Sequence, residues 1–193
     1  MLYYSKEEQR YGRNKDTVIN HAYICSGEYR KKFDQISDNK KLNKLLYQLA
    51  KTMLEHRSGT LYEDMYWIDA ETLQVVCKVI DIMVEQKIIY TQNIKKRLHK
   101  RKNLITIHSH PNGFPPSLDD FNSACLNGYS VGVVCGHNGD IFLYQSQEFM
   151  PEESYYYLIN DFIKEGYSTY VSQVKALEEL SRHYNIFFRK VEA

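Results

Sequence analysis

The chain has 193 residues, enough for one full hydrophobic core and short for two ordinary domains. With 43% hydrophobic and 25% charged residues, it has the composition of a globular protein, which excludes a disordered or fibrous chain. Its 25 basic and 24 acidic side chains nearly cancel, so the overall field argues for neither a nucleic-acid nor a membrane partner.

Residues 1–40 are polar and rich in tyrosine, without clear period apart from the apolar residues 22–25 and 29–33. They read as an N-terminal extension of unknown role, preceding a single domain over 41–193. Charges stand in this segment where a secretory signal needs an apolar core, and no run of about eighteen apolar residues occurs anywhere, so a cytoplasmic protein is expected. Cys25, Cys77, Cys125 and Cys135 show no CxxC spacing and sit among apolar neighbours, the pattern of buried, reduced thiols.

From Leu42 the apolar positions Leu42, Leu45, Leu46, Leu49, Met53 and Leu54 recur at helical spacing, with Asp38 and Asn39 as candidate caps and Gly59 beyond the end. Residues 64–68 and 73–80 read as strands joined by a turn over 69–72, and so as a hairpin. Residues 92–102 look helical; their basic members Lys95, Lys96, Arg97, His99, Lys100, Arg101 and Lys102 suit the solvated side of a surface helix. Residues 104–108 form a short apolar run suited to a buried strand that opens into a proline-rich loop, and 118–127 suit a short helix. Strand-like runs at 130–136 and 141–144 flank Asn138-Gly139, a strong tight-turn signal. Helices over 152–165 and 169–184, broken at Gly166, and a last strand over 185–191 close the chain. Residues from about 147 onward thus form a helical extension.

The chemistry concentrates in residues 107–121. His108 and His110 stand two apart at the end of a strand, so their imidazoles leave the same face, as two ligands of one metal must. Asp120 follows on a predicted helix, and a tight loop can return its carboxylate to complete a three-ligand zinc site with the fourth position open for water. An open position marks a catalytic zinc, which lowers the pKa of its water to about 7. Ser117, one turn before Asp120, is placed to donate to an oxyanion. Ser117-x-x-Asp120 is equally a capping box, and a lone HxH is commonly no metal site; HxHP and SxxD together in one short loop form a far more restrictive coincidence.

These residues resemble the signature of the JAMM, or MPN+, metallopeptidases: an upstream Glu, then HxHP, then SxxD. His108, Ser109, His110 and Pro111 match the first block, and Ser117 with Asp120 the second, over a resemblance spanning roughly residues 42–146. It implies Zn2+ held by His108, His110 and Asp120, with Ser117 stabilising the tetrahedral intermediate. It also implies an α/β fold in which a curved mixed sheet packs between helices. The loop from Asn112 to Pro116 is one residue shorter than in the family, which raises Asp119 as a rival ligand; the intact serine-to-acid spacing favours Asp120. By element order Glu63 occupies the position of the general base, with Glu55, on the last turn of the preceding helix, as its rival. His21, His56, His99, His137 and His183 have no partner at ligand spacing and receive no role, and Trp67 reads as a core residue.

The resemblance implies a zinc-dependent peptidase or isopeptidase whose substrate is a protein or peptide tail, such as that of a ubiquitin-like protein. Only a short helix separates Asp120 from the next strand, which disfavours linkage-selective deubiquitination and points to the compact prokaryotic and phage-associated members. Two alternatives stand beside it. One is a non-catalytic scaffold or binding module of the same fold. The other is a nucleic-acid-associated role like that of DNA-repair-linked relatives, resting only on the basic stretch.

Overall fold

Asn39 starts the longest helix by accepting hydrogen bonds from the amides of Lys41 and Leu42, at 3.0 and 3.2 Å. In the computed structural model, which describes residues 14–192, that helix runs Lys40–Arg57. It buries Leu42, Leu46, Ala50, Met53 and Leu54 on one stripe and stops before Gly59, whose φ of +72° lies in the left-handed region. Leu45 and Leu49 flank the stripe, partly buried.

Two short helices precede it: α1 (His21–Ile24) and α2 (Gly27–Phe33), capped by Asn20 and Ser26, with the long helix as α3. Ile19, Ile24, Tyr29 and Phe33 share one apolar cluster with the α3 stripe, so residues 19–33 belong to the same core. A 3-10 turn at Lys15–Thr17 ties the start of the described chain to the end of α3 through Gly59 N–H donating to Thr17 O, at 3.0 Å.

Six strands follow in one mixed sheet: β1 (Met65–Asp69), β2 (Val75–Val79), β3 (Leu104–His110), β4 (Val131–Gly136), β5 (Ile141–Ser146) and β6 (Ile186–Lys190). Their spatial order is β2-β1-β3-β4-β5-β6, and every neighbouring pair is antiparallel except β3 and β4. That parallel pair needs a crossover, supplied by the loop after β3 and helix α5 (Leu118–Asn127). Helix α4 (Gln92–Leu98) lies between β2 and β3, and α6 (Glu152–Lys164) and α7 (Thr169–Leu180) between β5 and β6. The fold is therefore mixed α/β, with seven α-helices and six strands among the described residues.

Alternation along the strands divides the core into two layers. Tyr66, Ile68, Ile105, Ile107, Val133, Cys135, Ile141 and Leu143 face α1, α2 and α3. Met65, Trp67, Leu104, Val134, Phe142 and Tyr144 face the other way, under Ile94 of α4, Phe121 and Ala124 of α5, Ile159 of α6, and Ala176 and Leu177 of α7. Trp67 is fully buried and donates its indole N–H to Tyr129 Oη at 3.0 Å. Helix α4 ends at Leu98, short of residue 102, because Lys100 and Asn103 take positive φ values of 62° and 56°. Its basic side chains are exposed. Cys77 and Cys135 are buried, whereas Cys25 is exposed; all four thiols are free. No described helix is long and apolar enough to cross a membrane.

Candidate metal centre

Because Ile105 and Ile107 face α3, the intervening register sends His108 and His110 to the opposite face of β3, at the carboxyl end of the parallel β3–β4 pair. Clefts at such strand ends are where open α/β sheets commonly hold ligands. His108 is 1% exposed. Its Nε2 lies 3.0 Å from His110 Nε2 and 3.2 Å from Asp120 Oδ1, and His110 Nε2 lies 3.5 Å from Asp120 Oδ2. The three ligand atoms fall within 4.8 Å of one another.

The loop that returns Asp120 is built from local bonds. His110 O accepts from Gly113 N–H at 3.0 Å, and His110 Nδ1 donates to Phe114 O at 2.9 Å. Gly113 has a φ of +68°, and a Cβ there would collide with the Asn138 side chain, so both conformation and space require glycine. Ser117 then caps α5 in a full capping box. Its amide and its hydroxyl both donate to Asp120 Oδ2, at 2.7 and 2.8 Å, and its Oγ accepts from the Asp120 amide at 3.3 Å. Asp119 is exposed, so the shortened loop keeps Asp120 as the residue that meets the histidines.

Glu63 stands two residues before β1, 7% exposed, and lines the same cavity as His110, Ser117 and Asp120. The adjacent Asp64 fixes it there: Asp64 O accepts from Ser109 N–H and Asp64 N–H donates to Ser109 Oγ, both at 3.0 Å, which clamps this segment to the residue between the two histidines. The Asp64 carboxylate is held in turn by Arg57 Nε at 2.5 Å and His56 Nδ1 at 2.7 Å. Glu55 lies elsewhere, exposed on α3 and 2.9 Å from His21 Nε2.

Electrostatics sort these groups. Burial raises the Glu63 carboxyl above its ordinary value, with Asp120 adding and His110 and His108 opposing, so it is more basic than a surface glutamate. Burial also disfavours the charged His110 ring, but Asp120 and Glu63 outweigh it and raise its pKa to about 9. For Asp120 burial acts upward, and the two histidines overcome it to hold the carboxyl well below the usual range. His137, whose amide donates to His110 O, is depressed to about 4, chiefly by burial, although its Nδ1 donates to Thr17 O at 2.7 Å.

Several surrounding residues carried no recognisable signal in the sequence. The cavity, of about 530 Å³, is walled by Tyr90, Tyr129 and Tyr144 as well as the polar groups above. Gln173 of α7, 9% exposed, donates from Nε2 to Tyr155 Oη, Pro116 O and Pro115 O at 2.8, 3.2 and 3.5 Å, so the C-terminal helices brace the loop that carries Ser117. Tyr170 of the same helix packs edge-on against Phe114. Of the tyrosines at 155–157, Tyr155 is buried, whereas Tyr156 and Tyr157 are exposed. No protein-family model, curated protein or solved structure matches this chain.

Proposed function

We propose that the chain is a zinc-dependent hydrolase of peptide or isopeptide bonds, of the JAMM type. The observation that carries this reading is the convergence of the buried His108 Nε2 with His110 Nε2 and the Asp120 carboxylate, the last two of which line a cavity. The donor set suits zinc: two imidazoles and one carboxylate, with His110 Nδ1–H spent on Phe114 O so that the Nε2 lone pair faces the cluster. Zinc there would lower the pKa of a bound water to about 7 and polarise the scissile carbonyl.

The chain's own residues would do the rest. His108, His110 and Asp120 hold the ion. Glu63, desolvated and lining the same cavity, accepts the proton of the attacking water and returns it to the leaving nitrogen. Ser117 steadies Asp120 through its hydroxyl, which would donate to the oxyanion on turning from Asp120 Oδ2. Tyr90, Tyr129 and Tyr144 give the cavity aromatic walls beside its polar centre, which suits an extended peptide tail such as that of a ubiquitin-like protein. The sequence of α3, hairpin, β3, loop and α5 follows the order the resemblance implies, and α5 leads to β4 within four residues, Gly128 to Val131, which favours a compact enzyme.

Metal analysis with turnover tests the reading. Loss of one zinc equivalent per chain in His108→Ala and in Asp120→Ala, together with loss of cleavage of a ubiquitin-like tail or a fluorogenic peptide, is the expected result. A purified chain that resists zinc reconstitution overturns it in favour of a non-catalytic scaffold.

A further inference from the structure

A second cluster of metal-ligating side chains lies in the helical layer on the opposite face of the sheet. His21 and Cys25 stand one helical turn apart, and α1 is closed at that point by Cys25 N–H donating to His21 O at 3.0 Å, which sets both side chains on one side. Glu55 reaches them from α3, its Oε1 2.9 Å from His21 Nε2, while Cys25 Sγ lies 3.7 Å from the same nitrogen. All three ligand atoms fall within 4.8 Å of one another. The scaffold beneath is fixed: Ile24 is 1% exposed in the α3 core, and its carbonyl accepts from Tyr47 Oη at 3.3 Å.

We infer that His21, Cys25 and Glu55 form a second metal site, for a divalent d-block ion such as zinc or cobalt. The inference is independent of the proposed hydrolase. Imidazole and thiol donors select against magnesium and calcium, which take oxygen ligands. A tetrahedral ion with bonds of about 2.0–2.3 Å keeps its ligand atoms about 3.3–3.6 Å apart, so the His21–Glu55 and His21–Cys25 separations of 2.9 and 3.7 Å each need only a few tenths of an ångström of adjustment. The site is exposed, and its fourth position is free for water or for a side chain of another molecule. Lys51 Nζ, 3.7 Å from Glu55 Oε1, supplies the positive charge that the ion would displace. Occupation would pin α1 to α3.

Cobalt titration of the reduced full-length chain separates this site from the first. The His108, His110 and Asp120 centre has only nitrogen and oxygen donors, so a thiolate-to-cobalt charge-transfer band reports a cysteine ligand alone. The band is expected in the unmodified chain and absent in Cys25→Ser. His21→Ala and Glu55→Gln should each weaken it by about tenfold or more in cobalt affinity, since losing even an outer-shell partner costs about 10–100-fold. Lys51→Met should strengthen it. Absence of the band, its survival in Cys25→Ser, or indifference to His21→Ala overturns the inference.

Discussion

Replacing Ser117 with alanine tests whether one hydroxyl serves the helix, the metal ligand or the chemistry. In the folded chain Ser117 Oγ donates to Asp120 Oδ2 at 2.8 Å and accepts from the Asp120 amide at 3.3 Å. Losing an N-cap side chain costs about 1 kcal/mol. For a domain of this size that is a fall of about 2–4 °C in Tm. The Ser117 amide still holds Asp120 Oδ2 at 2.7 Å, so the carboxylate is loosened rather than released. An orienting bond to a metal ligand is worth about 10–100-fold in metal affinity, which sets the expected rise in the zinc Kd. If Ser117 also meets the oxyanion, turnover at saturating zinc should fall by a further 100-fold or so. Thermal unfolding of the zinc-free chain, zinc competition against a chromogenic chelator, and turnover in excess zinc separate the three effects. An unchanged zinc Kd and Tm would refute the bonding described here, and full turnover at saturating zinc would remove Ser117 from the reaction.

Glu63→Gln should keep the fold and the zinc but lower hydrolysis by about 10²–10⁴, because glutamine cannot take up the proton, while Glu55→Gln should leave turnover near normal; an active Glu63→Gln beside a dead Glu55→Gln would transfer the role. Two histidines contribute opposite limbs to the pH dependence of the zinc-free chain. His137 is depressed to about 4, so the unfolded chain binds a proton that the folded one refuses; its contribution is full above about pH 6.5 and is lost as pH falls toward 4, at up to about 1.4 kcal/mol per pH unit. His110, raised to about 9, contributes fully below about pH 6.5 and less as pH rises through 9, so the sum of these two contributions is greatest near pH 6.5. Urea unfolding across about pH 5–9 measures this, and a His137→Asn chain with an unaltered acid limb would contradict it. Gln173→Ala should cost about 1–3 kcal/mol, because buried acceptors lose their donor, and should raise the zinc Kd by loosening the loop; unchanged zinc affinity would show that α7 does not brace the site.

Features governed by neighbours in the chain were the legible ones. The α3 stripe, a cap at Asp38 or Asn39, the Asn138-Gly139 turn and the extent of α5 depend on period and capping within a few residues, and each could be read before any contact was known; the structure chose Asn39. The same holds for the centre of the site. His108 and His110 share a face because strand side chains alternate, and Asp120 turns inward because its capping box with Ser117 fixes the start of α5. Glu63 could be named only from the order of elements, since nothing near it in sequence marks it.

What tertiary structure alone decided was which distant groups meet. Residues 19–33 look polar and aperiodic because their apolar side chains are spread over two helices too short to show a period, yet they complete one layer of the core. His21, given no role from the sequence, meets Cys25 one turn on at the end of α1, and Glu55 joins them only because α1 packs beside α3. The Asp64–Ser109 clamp, the Gln173 brace and the burial that perturbs Glu63, His110 and His137 all arise between segments far apart in sequence. The sequence by itself determined the local geometry of the loop from His110 to Asp120, because strand alternation and helix capping act over a few residues. The setting of that loop was decided by the sheet order β1-β3-β4 and the two helical layers, because burial and long-range pairing exist only once the chain has folded.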